Sequence, residues 1–408
     1  MEITCPYCFE TFDSKEIMLR CRNPHCEDDD DNYYEYWKDI DQNVTKTQRH
    51  VYYPRHRFLR KDDTSCDKCG GKNYDYVCPH CHNELPGKMI EEGAEIISVI
   101  GGPGSGKTHY IVALLQELRK TGHQIGLDAT LLQVGDNTKF HTEELFKKQI
   151  DMLNKQNQVL DQTRKEAPQI PWIVRIDSTD PRVRGQQVPK KSIYLVFYDT
   201  AGEHFNNRKT IEQNAKYLSQ SKAVIVLFDT LSIPQIKSFL KQDVKASSFE
   251  DTWEALKNFI GEGKNNELSN EQLKQKPFAF VMSKFDVVLA NTKRLQFLPQ
   301  GFLDENDIPL DNSYKGKPRD QRAFDLSTVT NSHESIADAL ERWDDNGYPD
   351  KVDKWWGDNA RFFGMSALGA MPNEAGEIPE GGIKPWRVMD PLLWIMYRIG
   401  GFAFETIG

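Results

Sequence analysis

Ala94–Thr108 reads AEIISVI-GGPGSGKT, and the order of its two halves decides the fold. Ala94–Ile100 is a short apolar run rich in β-branched residues, the composition of a buried strand. It leads directly into Gly101, Gly102, Pro103, Gly104, Ser105, Gly106, Lys107 and Thr108, which satisfy G-x-x-x-x-G-K-[ST]. Beyond them, His109–Lys120 (HYIVALLQELRK) spaces its apolar residues at a helical period. Strand, glycine-rich turn and helix in that order aim backbone N–H groups at the positive end of the helix, where a phosphate chain is held. Lys107 is placed to neutralise β- and γ-phosphates, and Thr108 to offer its hydroxyl to magnesium. His109, the first residue past the loop, completes the expected nucleotide contacts here. The pattern predicts an α/β fold with a mostly parallel central sheet and helices on both faces.

Further along, Ser192–Tyr198 (SIYLVFY) reads as a strand ended by Asp199, and the chain continues Thr200-Ala201-Gly202-Glu203. An aspartate at the carboxyl end of a strand can hold the metal through a water, and the Gly202 N–H can meet a γ-phosphate. That second contact exists only with a triphosphate bound, which makes a switch.

With the D-x-x-G pattern of DTAGE, the chain resembles the translation-factor-related and Ras-like branch of P-loop GTPases. The resemblance implies further motifs in order. Ala223–Phe228 is the next strand, ending at Asp229, and Phe278–Met282 another, followed by Ser283-Lys284-Phe285-Asp286. The family pattern there is [NT]-K-x-D, so serine is a departure. The chemistry is retained: Asp286 can accept guanine N1–H and N2–H, Lys284 can lie over the ring, and adenine lacks those donors. Arg361–Met365 then leads into Ser366-Ala367-Leu368, matching S-A-[KL], with the Ala367 N–H expected at guanine O6. The family also places a threonine before its second strand. That strand is Pro171–Ile176, expected antiparallel to 192–198, and Thr163 is the preferred threonine over Thr138 and Thr142. A possible strand in Gln124–Val134 and a helix near Thr142–Leu160 are more material than a Ras-like domain carries at that place. Glu203 and His204 share the expected role of orienting the attacking water. An arginine finger from Arg164, Arg208 or a partner is left undecided.

All eight cysteines precede the phosphate loop, as Cys5-x2-Cys8, Cys21-x4-Cys26, Cys66-x2-Cys69 and Cys78-x2-Cys81. Two thiolates two residues apart on a turn can face one metal, and two such turns give the four-sulfur shell zinc prefers. The spacing predicts two structural zinc ions, held by the first two pairs and the last two. An interleaved arrangement, first with third and second with fourth, is the alternative. His25 reads as a loop residue. The aromatics of Tyr33, Tyr34, Tyr36 and Trp37 are expected to pack on this module. The acidic run Glu27–Asp31 reads as a solvated loop.

At 408 residues the chain has room for two or three domains; hydrophobic residues at 38% and charged ones at 28% describe a soluble globular protein. The 52 basic and 61 acidic residues leave −9, which argues against general nucleic-acid binding. Only Arg49–Lys61, basic with interleaved aromatics, has a base-stacking pattern. Pro391–Phe404 is too short and too interrupted to span a bilayer, and MEITCPYC lacks the pattern of a signal peptide. A cytoplasmic location is expected, where thiols stay reduced. The polar, Asp/Asn/Pro/Gly-rich stretch Leu289–Asn331 is expected to be a loop, followed by a helix over Glu334–Trp343.

The ribbons CPYC and CPHCHNELP, the switch FYDTAGE and the ending DPLLWIMYRIG together resemble the bacterial double-GTPase family. Cys5–Pro86, Glu95–Lys107 and Tyr194–Glu203 carry the resemblance most firmly. It implies a GTP-dependent switch of bacterial conflict or antiviral systems, with protein partners encoded nearby, a paired GTPase or a second copy of itself. The expected division is a zinc module over 1–88 and a GTPase domain over 93–408. Rival readings are an ATPase of the same fold, and a non-hydrolysing module whose zinc part docks a protein or nucleic acid.

Overall fold

In a computed structural model, residues 1–39, 43–54, 64–92, 95–102, 104–132, 142–160, 171–178, 193–198, 217–238, 250, 252–254, 256, 274–297, 301–302, 314–315, 323–344, 346–400 and 406–407 are described. The N-terminal part is built from short strands. β1 (Glu2–Thr4) pairs with β2 (Thr11–Asp13), and β3 (Met18–Cys21) runs onward to β4 (Glu27–Asp29). After α1 (Asp31–Trp37) come β5 (Thr47–Arg49), β6 (Val51–Tyr52) and β7 (Tyr74–Val77). β3 lies between β6 and β7, antiparallel to both, and β4 pairs with β5. Asp30 caps α1 by accepting from the Tyr33 N–H. Tyr33 and Trp37 are buried, and Trp37 Nε1 donates to Asn83 at 2.7 Å, so these aromatics do pack on the cysteine-bearing module.

After α2 (Gly87–Glu92), β8 (Ile97–Gly101) opens a four-stranded parallel sheet with β12 (Ala223–Asp229), β13 (Phe278–Ser283) and β16 (Ala360–Gly364), in the order β16-β13-β12-β8. Alternate side chains of β12 divide between two cores. Ile225 and Leu227 pack with α3 (Lys107–Thr121) and the helix Asp390–Ile399, whereas Val224, Val226 and Phe228 pack with the helices Leu326–Trp343 and Tyr348–Trp356. A strand covered on both faces must be apolar throughout, and so these segments read as uninterrupted runs. The fold is mixed α/β with helices on both faces of a parallel sheet.

Beside β8 lies a separate antiparallel sheet of β9 (Leu127–Leu132), β10 (Pro171–Ser178) and β11 (Ile193–Tyr198), in the order β11-β10-β9. The expected antiparallel pairing of 171–176 with 192–198 is present, with Ile173 opposite Val196. The Tyr217 hydroxyl sits between β8 and β11, accepting from the Val99 N–H at 3.0 Å and donating to the Val196 carbonyl at 2.7 Å. A side chain thereby takes the place of a direct strand-to-strand bond. The N-terminal module packs on this sheet: Ile3, Phe12, Leu85 and Met89 share a core with Ile173 and Tyr194, and Phe9 meets Tyr217 at 5.1 Å.

Residues 289–331 depart from the loop reading. They include the helix Thr292–Leu295, β14 (Tyr314–Lys315), β15 (Ala323–Asp325) and the first turns of Leu326–Trp343; β15 pairs with β14 and with β17 (Thr406–Ile407). The long helix starts eight residues before Glu334 because Asp325 accepts from the Ser327 and Thr328 N–H groups, a strong cap that outweighs the weak helix propensity of LSTVTNSH. Leu392–Met396 are buried in the helix Asp390–Ile399, as expected of that apolar segment, and no described helix is long and apolar enough to cross a membrane.

Candidate functional site

The glycine-rich loop leaves the carboxyl end of β8, flanked by β12. A Cβ at Gly101 would stand 2.4 Å from the Leu227 carbonyl oxygen and 2.6 Å from Ser105 Oγ, so only glycine fits beside the neighbouring strand. Gly106, at φ +84°, turns the chain into α3, and no side chain caps that helix. The helix therefore presents its first N–H groups toward the loop, the arrangement that holds an anion. Lys107 is buried and bends back, its Nζ donating to the carbonyls of Gly101 (2.8 Å) and Gly102 (3.1 Å). Ser105 Oγ is buried without a hydrogen-bond partner among the described residues. Thr108 lies on the first turn of α3, and the His109 ring accepts from the Leu160 N–H at 3.1 Å.

The Ser283–Asp286 segment reaches the same end of the sheet. Ser283 is buried and its hydroxyl donates to the Phe228 carbonyl at 3.1 Å, so the residue that departs from the family pattern ties β13 to β12. Lys284 adopts φ +58°, a left-handed conformation that a lysine takes only under constraint. Its Nζ bonds the Asp229 carboxylate and donates to the Gly104 carbonyl at 3.2 Å, linking the Ser283–Asp286 segment to the glycine-rich loop. Asp229 is fully buried, at 0% side-chain exposure, and sequence reasoning missed it except as the end of a strand.

Asp286 follows at the start of a short helix, beside the Ser366 side chain. Burial pushes its carboxyl above the ordinary carboxylate range, opposed by the neighbouring Ser366 hydroxyl. The Ser366-Ala367-Leu368 loop is held from behind: Ser366 and Trp386 exchange two backbone hydrogen bonds, and the Lys384 N–H donates to the Leu368 carbonyl at 2.9 Å. Beneath it, a Cβ on Gly364 would come within 2.6 Å of the Phe285 ring. Gly364→Ala is expected to cost about 1–3 kcal/mol through overpacking, read as a lower urea midpoint with unchanged slope.

Thus Gly101, Gly102, Gly104, Ser105, Gly106, Lys107, Thr108, Ser283, Lys284, Asp286, Ser366, Ala367 and Leu368 meet at one end of the parallel sheet. Pro103, Thr163, Asp199, Gly202, Glu203 and His204 lie outside the described residues, as do Thr138 and most of Arg49–Lys61.

The cysteines form two clusters: Cys5, Cys8, Cys78 and Cys81, and Cys21, Cys26, Cys66 and Cys69. This corrects both expected arrangements, because the outermost pairs join each other and the inner pairs join each other. The cause is the antiparallel pairing of β3 with β7, which sets Met18 opposite Val77 and Cys21 opposite Tyr74. Antiparallel pairing reverses chain order, so Cys5–Cys8 and Cys78–Cys81 come together at one end and the inner pairs at the other. Three turns share one design. The residue after the second cysteine (Phe9, Gly70 or His82) is left-handed, and its N–H bonds the carbonyl of the first cysteine. Cys21-x4-Cys26 turns differently, through the Cys26 N–H on the Asn23 carbonyl. His25 is exposed and outside both clusters.

The donor sets fit zinc. Paired sulfurs stand 3.5–3.8 Å apart. A tetrahedron with metal–sulfur bonds of about 2.3 Å has edges near 3.8 Å, whereas a disulfide would need about 2.05 Å. Backbone N–H groups of Tyr7, Asn23 and His80 point at Cys5, Cys21 and Cys78 sulfurs, each at 3.4 Å. Burial pushes the Cys5 and Cys81 thiols well above the ordinary range, and a divalent cation supplies the charge that reverses this.

No protein-family model matches the chain. It is 24% identical over 331 residues to a protein of Mycolicibacterium smegmatis named "Putative ESX-1 scaffolding and assembly protein SaeC", covering 79% of this chain and 80% of that one. Among solved structures it matches the S. cerevisiae Ski7 GTPase-like domain bound to GTP at 14% identity and a TM-score of 0.35, over 76% of this chain. The match spans about half of the Ski7 chain, 51%.

Proposed function

We propose that the chain is a P-loop GTPase that binds GTP and hydrolyses it to GDP and phosphate, as a switch read by protein partners. The observation that carries this reading is the convergence of three distant stretches, with the Lys284 Nζ donating to the Gly104 carbonyl and Asp286 beside Ser366. The glycine loop and the uncapped start of α3 cradle the phosphates, Lys107 neutralises them, and Asp286 with the Ala367 N–H reads guanine. Thr108, Asp199 and Thr163 are the residues to hold magnesium, which supplies charge stabilisation at the transferring phosphoryl group. Gly202 senses the γ-phosphate, and Glu203 or His204 orients water.

The two cysteine clusters hold one structural zinc each, within a module of residues 1–88 ahead of a GTPase domain over 93–408. The likeness to a protein named for scaffolding and assembly supports protein partners, and the resemblance to double-GTPases supports a paired GTPase in a cytoplasmic bacterial conflict system.

Competition against a fluorescent GDP analogue with Mg²⁺ tests the nucleotide. GTP and GDP are expected to displace it at concentrations about tenfold or more below ATP. Equal displacement by ATP removes the guanine reading. Phosphate release that stays at background with Mg²⁺, GTP and a captured partner removes the hydrolase reading.

A further inference from the structure

The helix α4 (Thr142–Asn154) and the turn after it are extra to the motifs above, yet they touch both ends of the site. On the phosphate side, the Leu160 N–H donates to His109 Nε2 at 3.1 Å, one residue past Thr108. Asn154 Nδ2 donates to Gln116 Oε1 of α3 at 3.0 Å. On the base side, residues 157–159 run against 376–378. The Val159 N–H bonds the Gly376 carbonyl at 3.0 Å and the Ile378 N–H bonds the Asn157 carbonyl at 2.7 Å, with Gln158 bridging Glu377. The same two asparagines close the limb: Asn157 Oδ1 accepts from Gly382 and Asn154 Oδ1 from Ile383, both at 3.1 Å. A Cβ on Gly382 would stand 2.8 Å from Asn154 Cα, so the limb is pressed onto the strap. From Ile383 the next residue, Lys384, bonds Leu368, and Trp386 bonds Ser366.

We propose that residues 154–160 are a strap that couples the phosphate end of the site to its base-reading loop, with His109 and Asn154 as positioning residues. Neither reaches the base. His109 fixes where the strap meets α3, and Asn154 holds α3 and the 376–383 limb with one side chain. A displacement at the first turn of α3 is thereby passed to the 366–368 loop through consecutive hydrogen bonds. Such a chain acts as a coupling device only if breaking one rung alters the other end.

The inference rests on the nucleotide reading for its consequence but not for its mechanics, and two measurements on the full, zinc-loaded chain separate them. Hydrogen exchange comes first. His109→Ala and Asn154→Ala are expected to raise exchange across 366–386 about fivefold while leaving the β12 amides unchanged. His109→Gln, whose amide oxygen can still accept from Leu160, is expected to match the parent. Unchanged exchange at 366–386 in both alanine variants overturns the strap, whatever the nucleotide data show. Second is the ratio of 6-thio-GDP to GDP dissociation constants, since the two differ only at the 6 position assigned to the Ala367 N–H. His109→Ala is expected to lower that ratio about threefold, toward one, with no further fall in the double variant with Asn154→Ala. Equal weakening of 6-thio-GDP and GDP overturns the coupling to base reading. A parent that binds 6-thio-GDP and GDP equally, alongside the expected exchange result, supports the strap and overturns the assignment of Ala367 to guanine O6.

Discussion

Removing zinc with a strong chelator at neutral pH will unfold the N-terminal module, and the loss will reach the antiparallel sheet. Structural zinc sites contribute about 10–16 kcal/mol of apparent binding energy, more than a small stapled unit holds by burial alone. Here the proposed ligands are part of the core: Cys5, Cys78 and Cys81 share a cluster with Ile3, Phe12 and Met89, and that cluster includes Ile173 of β10 and Tyr194 of β11. Elemental analysis is expected to give about two zinc ions per chain, and chelation to raise amide exchange in β3 and β7 to the rate of unfolded chain. Native protection persisting in the metal-free protein would refute the metal reading. Paired substitutions test the nesting. Cys5→Ser with Cys78→Ser disables one cluster and leaves one zinc, whereas Cys5→Ser with Cys21→Ser disables both. Sequential quartets demand the reverse, so the two stoichiometries exclude each other.

The nesting also marks where the sequence stops being legible. Which cysteines can ligate follows from their pairing at short spacing, two intervening residues in three pairs and four in Cys21–Cys26, a local constraint. Which pairs share an ion depends on β3 meeting β7 across more than fifty residues, and nothing local encodes that. The parallel sheet was easier, because a strand covered on both faces cannot hide its character: AVIVLFD and FAFVMS are buried at every position. The start of the helix Leu326–Trp343 escaped because Ser, Thr and Asn dominate its first turns and Asp325 alone announces it. Asp229 was visible only as a strand end, since its partner Lys284 lies on the next strand's loop. The strap left no pattern at all. Its bonds join backbone groups, side-chain amides and an imidazole of remote segments, an arrangement compatible with almost any intervening sequence.

Exchanging one atom at Asp286 will move the nucleotide preference. In the proposed site the Asp286 carboxylate accepts both guanine donors, N1–H and N2–H. In Asp286→Asn one acceptor becomes an NH₂ donor facing the guanine amino group, leaving two donors opposed in a partly buried site. Each unsatisfied buried group costs about 1–3 kcal/mol, so GTP affinity is expected to fall about 10²-fold or more. Xanthine replaces the 2-amino group by a carbonyl oxygen, which that NH₂ can meet, so the variant is expected to prefer XTP. The swap preserves volume, so the folded state should survive with an unchanged urea midpoint. The parent has a second signature. Guanine reading needs the ionised carboxylate, and burial holds the Asp286 carboxyl above its usual range. GDP affinity will therefore decline as pH falls through that raised value, at higher pH than an exposed aspartate would give, while XDP binding to Asp286→Asn will lack this decline. Dissociation constants for GDP and XDP across pH, in parent and variant, check both expectations. A variant that keeps GTP and rejects XTP would place the base elsewhere and leave Lys284, tied to Gly104 and Asp229, as a brace of the phosphate loop alone.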